Sequence, residues 1–289
     1  MKDYIIRGTD LERNFRFFGA NTKNMVSTAC EKHQTSPVAS AALGRTMTGA
    51  AMMGRMLKGD EDRVSIVIKG DGPIGGIVVE ANGKGNTKGY VYHPQIDLPK
   101  KPNGKLDVSG AIGNAVMTVM KDMGLKEPYT GQIAMLSGEI AEDFTDYFAI
   151  SEQTNTAVSL GVLVDVDYSI RQAGGFILQV LPEATEEAIT ALEGKLKAFT
   201  SLTTCLDQGQ TIEDVIKELL GEIDLMEKIE VDFVCDCSKE RMERALVSVG
   251  KKDLQQMADE DEEIELVCHF CNDKYTFTRE EILELIKNS

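Results

Sequence analysis

Cys235-Asp236-Cys237 and Cys268-His269-Phe270-Cys271 form two close cysteine pairs separated by thirty residues, and they constrain what the end of this chain can become. Four thiols so placed read first as the ligands of one tetrahedral Zn²⁺. The region that carries them, 234–289, is short and poor in aromatic residues, which is marginal for an independent core. A metal held by four thiolates ties two distant segments together and supplies on the order of 10–16 kcal/mol of folding energy. We therefore expect a small C-terminal zinc-binding domain.

Other chemistry is open to the same residues. Cysteines this close in sequence can also bond to each other, and small strained disulfide rings are the labile, regulatory kind. Thiolates are the form that oxidants attack, and their oxidation removes the metal's ligands. Spacing alone favours a static structural zinc module over such a switch. Thioredoxin-like exchange is disfavoured, because Cys268 and Cys271 fall between two strand-like segments and not at a helix start. His269 is a weaker ligand candidate, since four thiolates already fill a tetrahedral site.

The rest of the 289 residues divides by composition. Residues 1–181 have a formal charge of −1 and residues 182–289 one of −15, which together make the chain's −16. Only four of the 26 glycines lie beyond 181, and Pro182 is the last of seven prolines. Such a step marks differently built regions. The expected organisation is an α+β core (1–181) with an antiparallel sheet and packed helices, a helical linker (182–233) and the zinc domain (234–289). The acidic last third argues against nucleic acid as a partner. No uncharged apolar run approaches 18 residues and no signal-peptide stretch opens the chain, so no membrane is expected and the location expected is the cytoplasm.

Within the core, β-branched alternation predicts strands at 4–9, 16–20, 25–29, 63–69, 74–80, 89–92, 130–136, 160–167 and 175–181. Helical spacing predicts helices at 38–57, 108–123 and 139–150. Gly70-Asp71-Gly72-Pro73-Ile74-Gly75 matches G-x-G-x-x-G, but a strand follows it, so a hairpin turn is expected in place of a dinucleotide site. In the linker, one helix opening at Pro182 places Ile189, Leu192, Leu196 and Phe199 on a stripe. A second, from near Thr211, places Ile212, Ile216, Leu219, Ile223 and Met226 on another. Two amphipathic helices need a surface, so both should dock on the core, and this apolar face is a candidate binding face. Helices near 239–247 and 253–257, strands at 263–267 and 274–277, and a last helix capped by Thr278 and Glu281 complete the reading. Residues 259–263 are read as a solvated acidic loop. Cys30, three residues from His33, reads as a structural thiol, and Cys205 as a small residue buried between the two linker helices.

The C-x-C plus C-x-x-C combination, behind an acidic amphipathic linker and a strand-rich domain, resembles the redox-regulated 33 kDa chaperonin family of bacterial heat-shock proteins. The similarity extends to residues 63–76 with Lys69-Gly70-Asp71-Gly72-Pro73, to 129–139 with Gly131-Gln132-Ile133, and to Ser151-Glu152-Gln153-Thr154. It implies an ATP-independent holdase and not an enzyme, inactive while Cys235, Cys237, Cys268 and Cys271 hold one Zn²⁺ in the reduced state. It further implies that peroxide with heat, or hypochlorous acid, forms Cys235–Cys237 and Cys268–Cys271 disulfides and expels the metal. The linker then unfolds, the protein forms a homodimer, and unfolded client proteins are held until ATP-driven chaperones take over.

Overall fold

In the computed structural model, which describes residues 2–288, the chain divides into two compact units, 1–234 and 235–289. The first unit opens with β1 (Tyr4–Asp10), β2 (Phe15–Asn21), α1 (Lys23–His33) and α2 (Pro37–Gly54). It continues through β3 (Arg63–Gly70), β4 (Gly76–Asn82), β5 (Thr87–Val91), α3 (Val108–Ile112), β6 (Ala115–Asp122), β7 (Tyr129–Met135), α4 (Ala141–Ser151), β8 (Thr156–Val164) and β9 (Ile170–Val180). The linker region adds α5 (Glu186–Ala198), α6 (Leu202–Asp207), α7 (Ile212–Leu220) and β10 (Ile223–Glu230). The second unit holds α8 (Lys239–Val249), α9 (Lys251–Glu260), β11 (Glu263–Val267), β12 (Lys274–Thr278) and α10 (Arg279–Asn288).

Among the described residues the first unit contains two five-stranded antiparallel sheets, in the orders β10-β1-β2-β9-β8 and β5-β4-β3-β6-β7. Helix α2 is buried on nearly every side, with Arg45 its one charged residue, and touches strands of both sheets, the expected place for a helix without a broad polar face. Pro37 occupies its first turn, where a missing N–H costs nothing. The larger core gathers around it, with Leu43, Met47 and Met52 against Ile66, Val79, Phe144 and Ile177.

The first sheet is apolar on both faces. Ile5, Phe18, Ala20 and Ile177 turn toward α2, while Tyr4, Ile6, Phe15, Phe17, Phe176 and Leu178 belong to a second core. That second core is completed by Leu192, Leu202, Leu206, Ile212, Val215, Ile216 and Leu219. The linker helices are thus the outer layer over the sheet, as their amphipathic stripes require.

Several expectations change. Residues 25–29 lie in α1, not a strand: Met25, Val26, Ala29 and Cys30 are buried at helical spacing. The helix expected at 108–123 stops at Ile112, and Gly113 at φ +70° ends it. Strand β6 follows, with Ala115, Met117 and Val119 buried and Val116 exposed, a two-residue period hidden inside an accidental helical stripe. Pro182 lies in a turn, and α5 instead begins after Thr185, whose hydroxyl accepts from the Ala188 N–H at 3.2 Å. Phe199 is the residue after α5 and stacks edge-on against Phe176 at 5.8 Å. The second linker helix ends at Leu220, where Gly221 at φ +83° turns the chain into β10, so Ile223 and Met226 are strand residues. Asp259 and Glu260 close α9, and Glu263 opens β11, which leaves little of the expected acidic loop. The Gly70–Gly75 segment is a hairpin turn between β3 and β4, as expected.

Candidate metal centre

The four cysteines reach one place from two directions. β11 and β12 pair in register from Glu263↔Thr278 to Val267↔Lys274. Cys268 and Cys271 sit on the turn that joins them. The Cys268 N–H donates to the Asp273 carbonyl at 2.9 Å, and the Asn272 N–H donates to the Cys268 carbonyl at 2.8 Å. Asn272 takes the left-handed conformation at φ +57°, which Asn tolerates better than most residues. The turn buries both thiols. Cys235 and Cys237 lie on the extended segment before α8, which Ser238 caps by accepting from the Arg241 N–H at 3.3 Å. Arg241 also pairs with the Asp236 carboxylate and donates to the Asp236 carbonyl, holding the C-x-C segment to the helix.

Cys235 Sγ lies 3.7 Å from Cys268 Sγ, and Cys237 Sγ 3.3 Å from Cys271 Sγ. All four sulfurs fall within 4.8 Å of one another. A tetrahedron of thiolates at zinc–sulfur bond length has edges of about 3.8 Å. Donor number, donor type and spacing therefore fit a four-coordinate soft metal ion, and Cys235, Cys237, Cys268 and Cys271 are the residues that can hold it. Burial pushes Cys235 up to about 11 and raises Cys271 further. For Cys237 burial also acts upward, but the Tyr275 hydroxyl, donating at 3.1 Å, and the neighbouring thiols outweigh it and lower the net value. Tyr275 in turn is raised, chiefly by that same bond to Cys237. Tyr275 was not legible as a site residue. Its position on β12, four residues past Cys271, is the signal that places it beside the cluster.

The centre sits in a unit with a small core. Among the described residues its fully buried core is Leu246, Leu254, Ala258, Phe277 and Ile282. Lys239 pairs with Glu281 at 2.6 Å over the Phe277 ring, and Thr278 and Glu281 make the expected capping box of α10.

The sequence-predicted apolar face is brought together elsewhere, in the first unit. Leu192, Ile212, Ile216 and Leu219 are buried, while Ile189, Leu196, Phe199 and Ile223 are half-buried against the same core. Glu213 fastens this layer: it accepts from the Tyr4 hydroxyl at 2.7 Å and from Lys228 at 2.7 Å. Cys205 lies on α6, a helix not foreseen, and is half-buried with its thiol raised mainly by burial. Cys30 is buried near Thr35 and Ser40, which donate toward its sulfur, yet burial leaves it raised.

Comparison with known proteins identifies the class. The chain is 51% identical to the 33 kDa chaperonin of Lachnoclostridium phytofermentans, with 100% of both chains covered. It is 47% identical to the 33 kDa chaperonin of Clostridioides difficile, with 99% of each covered. The crystal structure of the Thermotoga maritima 33 kDa chaperonin, a heat shock protein 33 homolog, superposes with a TM-score of 0.93 at 36% identity, over 100% of this chain and 99% of that one. The class is that of chaperones, which are not enzymes. The Hsp33 protein family profile matches residues 3–278, and the chain belongs to the Hsp33 family.

Proposed function

We propose that this chaperone is a redox-gated holdase whose four-cysteine centre carries one Zn²⁺ while reduced. When bound, the ion supplies a crosslink between residues 235–237 and 268–271 and keeps four thiolates compatible in one small space. Under oxidant each pair, Cys235–Cys237 and Cys268–Cys271, gives up two electrons and forms one S–S bond. Peroxide accepts the electrons and leaves as water. The observation that carries the reading is the sulfur arrangement. All four sulfurs lie within 4.8 Å of one another with the shortest contacts between the two segments, so an ion there ties the segments together, whereas the proposed local pairs would consume every ligand and leave the segments unjoined.

Chain connectivity carries this change to the linker. The chain runs from β10 through residues 231–234 directly into Cys235. Loss of the small unit's fold leaves the linker layer (182–233) to its own docking energy, against an ordering cost of about 1–2 kcal/mol per residue. The charge of −15 beyond residue 181 favours release by self-repulsion and keeps the opened chain soluble. Release bares Ile212, Ile216, Leu219 and their neighbours together with Ile6, Phe17 and Phe176 on the sheet. That apolar area suits unfolding client proteins and a second activated copy. The holding step uses no ATP, and clients pass to ATP-driven chaperones in the cytoplasm. No helix among the described residues is long and apolar enough to cross a membrane.

The test follows zinc with a chromogenic chelator during peroxide treatment while a heat-labile client is warmed beside it. Release of one zinc per chain together with suppression of client aggregation is expected. Retained zinc and equal suppression by both forms would leave a static zinc-module interaction protein instead.

A further inference from the structure

Strand β10 is an unusual occupant of its place. It pairs with β1 from Ile223↔Asp10 to Glu230↔Tyr4, yet none of its eight side chains is fully buried, and Leu225 and Met226 are exposed. β1 beneath it is buried along almost its whole length. Main-chain pairing therefore runs the length of the seat, and side chains add only the partial packing of Ile223 and Ile229 and the surface contacts of Lys228 and Glu230. A main-chain seat accepts many sequences, as in recognition by strand addition.

One side-chain contact stands out. Glu227 accepts from Arg7 Nε at 2.7 Å and from Arg55 Nη2 at 2.8 Å. The Arg55 side chain is only 11% exposed, and its Nε has no hydrogen-bond partner. If β10 leaves, this buried guanidinium loses its carboxylate, a costly state that favours a replacement anion. Residues 231–234 extend the same hold onto the second sheet. The Thr87 N–H donates to the Asp232 carbonyl at 3.0 Å, and the Val234 N–H donates to the Thr87 carbonyl at 3.2 Å.

We infer that the β1 edge under β10 is a strand-addition seat for clients: an extended segment of an unfolded protein pairs with β1 and places a carboxylate against Arg7 and Arg55. In the resting protein β10 occupies the seat as a built-in substitute. The inference rests on the proposed release of the linker region and adds to it the mode of binding and the chemistry of the segment selected.

The probe is a fluorescent, end-blocked peptide with the sequence of residues 223–230, added to the full-length protein in its reduced zinc-bound and its oxidised forms. Anisotropy should rise only with the oxidised form. The peptide carrying Gln in place of Glu227 should bind roughly tenfold more weakly, as expected for loss of a charged hydrogen-bonded partner. Methylating the peptide nitrogens that face β1 should abolish binding, whereas methylating those that face away should preserve it. Oxidised Arg7→Gln protein should show a smaller discrimination between the Glu and Gln peptides, with Arg55 supplying what remains, and a chemically unfolded client should displace the peptide. Equal binding to both protein forms, indifference to which nitrogens are methylated, or a client held without displacing the peptide would each overturn the inference. Client aggregation is scored in parallel. Suppression without peptide binding defeats the strand seat alone, while no suppression on oxidation defeats the holdase reading and the seat with it.

Discussion

Cys271 is the most buried of the four thiols and one of two on the β11–β12 turn. On the proposed zinc reading, Cys271→Ser should abolish stoichiometric zinc binding. A core of five buried residues supplies at most about 3–5 kcal/mol, so the second unit should lose its far-ultraviolet circular dichroism along with the metal. Zinc analysis and circular dichroism on the same sample check both. At the linker, burial acts to raise the Glu213 carboxyl, but hydrogen bonds from Lys228 and Tyr4 prevail and hold it below its usual 4.5. A group depressed on folding contributes stability that is whole above its unfolded value and is lost as pH falls through its folded one. Acidification through and below pH 4.5 should therefore loosen the α7–β1 contact, and Glu213→Gln should flatten that part of the profile. Hydrogen exchange in residues 212–220, measured in both proteins between about pH 6 and 3 and corrected for the intrinsic rate at each pH, reads the difference.

At the scale of elements, the linker layer depends on close approach to its sheet. A Cβ added at Gly19 on β2 would lie 2.9 Å from Ile212 Cγ1 and 3.2 Å from Ile6 Cγ1. Gly19→Val should push α7 off the sheet at a cost of about 1–3 kcal/mol. On the proposed mechanism, the reduced, zinc-bound variant should then suppress client aggregation without oxidant, and an aggregation assay under reducing conditions checks it. Gly8 on β1 is still tighter: a Cβ there would fall 2.1 Å from the Asp224 carbonyl of β10, so a side chain is excluded where the two backbones pass. The elements that sequence periodicity misread share a cause. Residues 115–122 and 223–230 place apolar residues at spacings that serve a helix and a strand alike, and only the partner strands β3 and β1 decide between them. α6 is six residues long, too short for a periodic signal.

For the whole molecule, the two units differ in what sustains them. The first has two layered cores, one on each face of its first sheet, and the second has a small core and a thiol cluster. If the proposed zinc centre is right, a chelator added to the reduced protein should unfold residues 235–288 while residues 2–180 keep a cooperative thermal transition. Calorimetry with and without chelator should show that transition persisting. Residue chemistry alone pointed to Cys235, Cys237, Cys268 and Cys271 as a candidate metal-ligand set, to the α+β class and to the helical stripes of Ile189, Leu192 and Leu196 and of Ile212, Ile216 and Leu219, because thiol spacing, strand alternation and helical periodicity are local properties of the chain. Only the folded chain decided that those faces close over the far side of the first sheet, that Tyr275 donates to Cys237 and that 223–230 completes the sheet beside β1. These depend on residues as far apart as Tyr4 and Glu230, whose meeting no local pattern records.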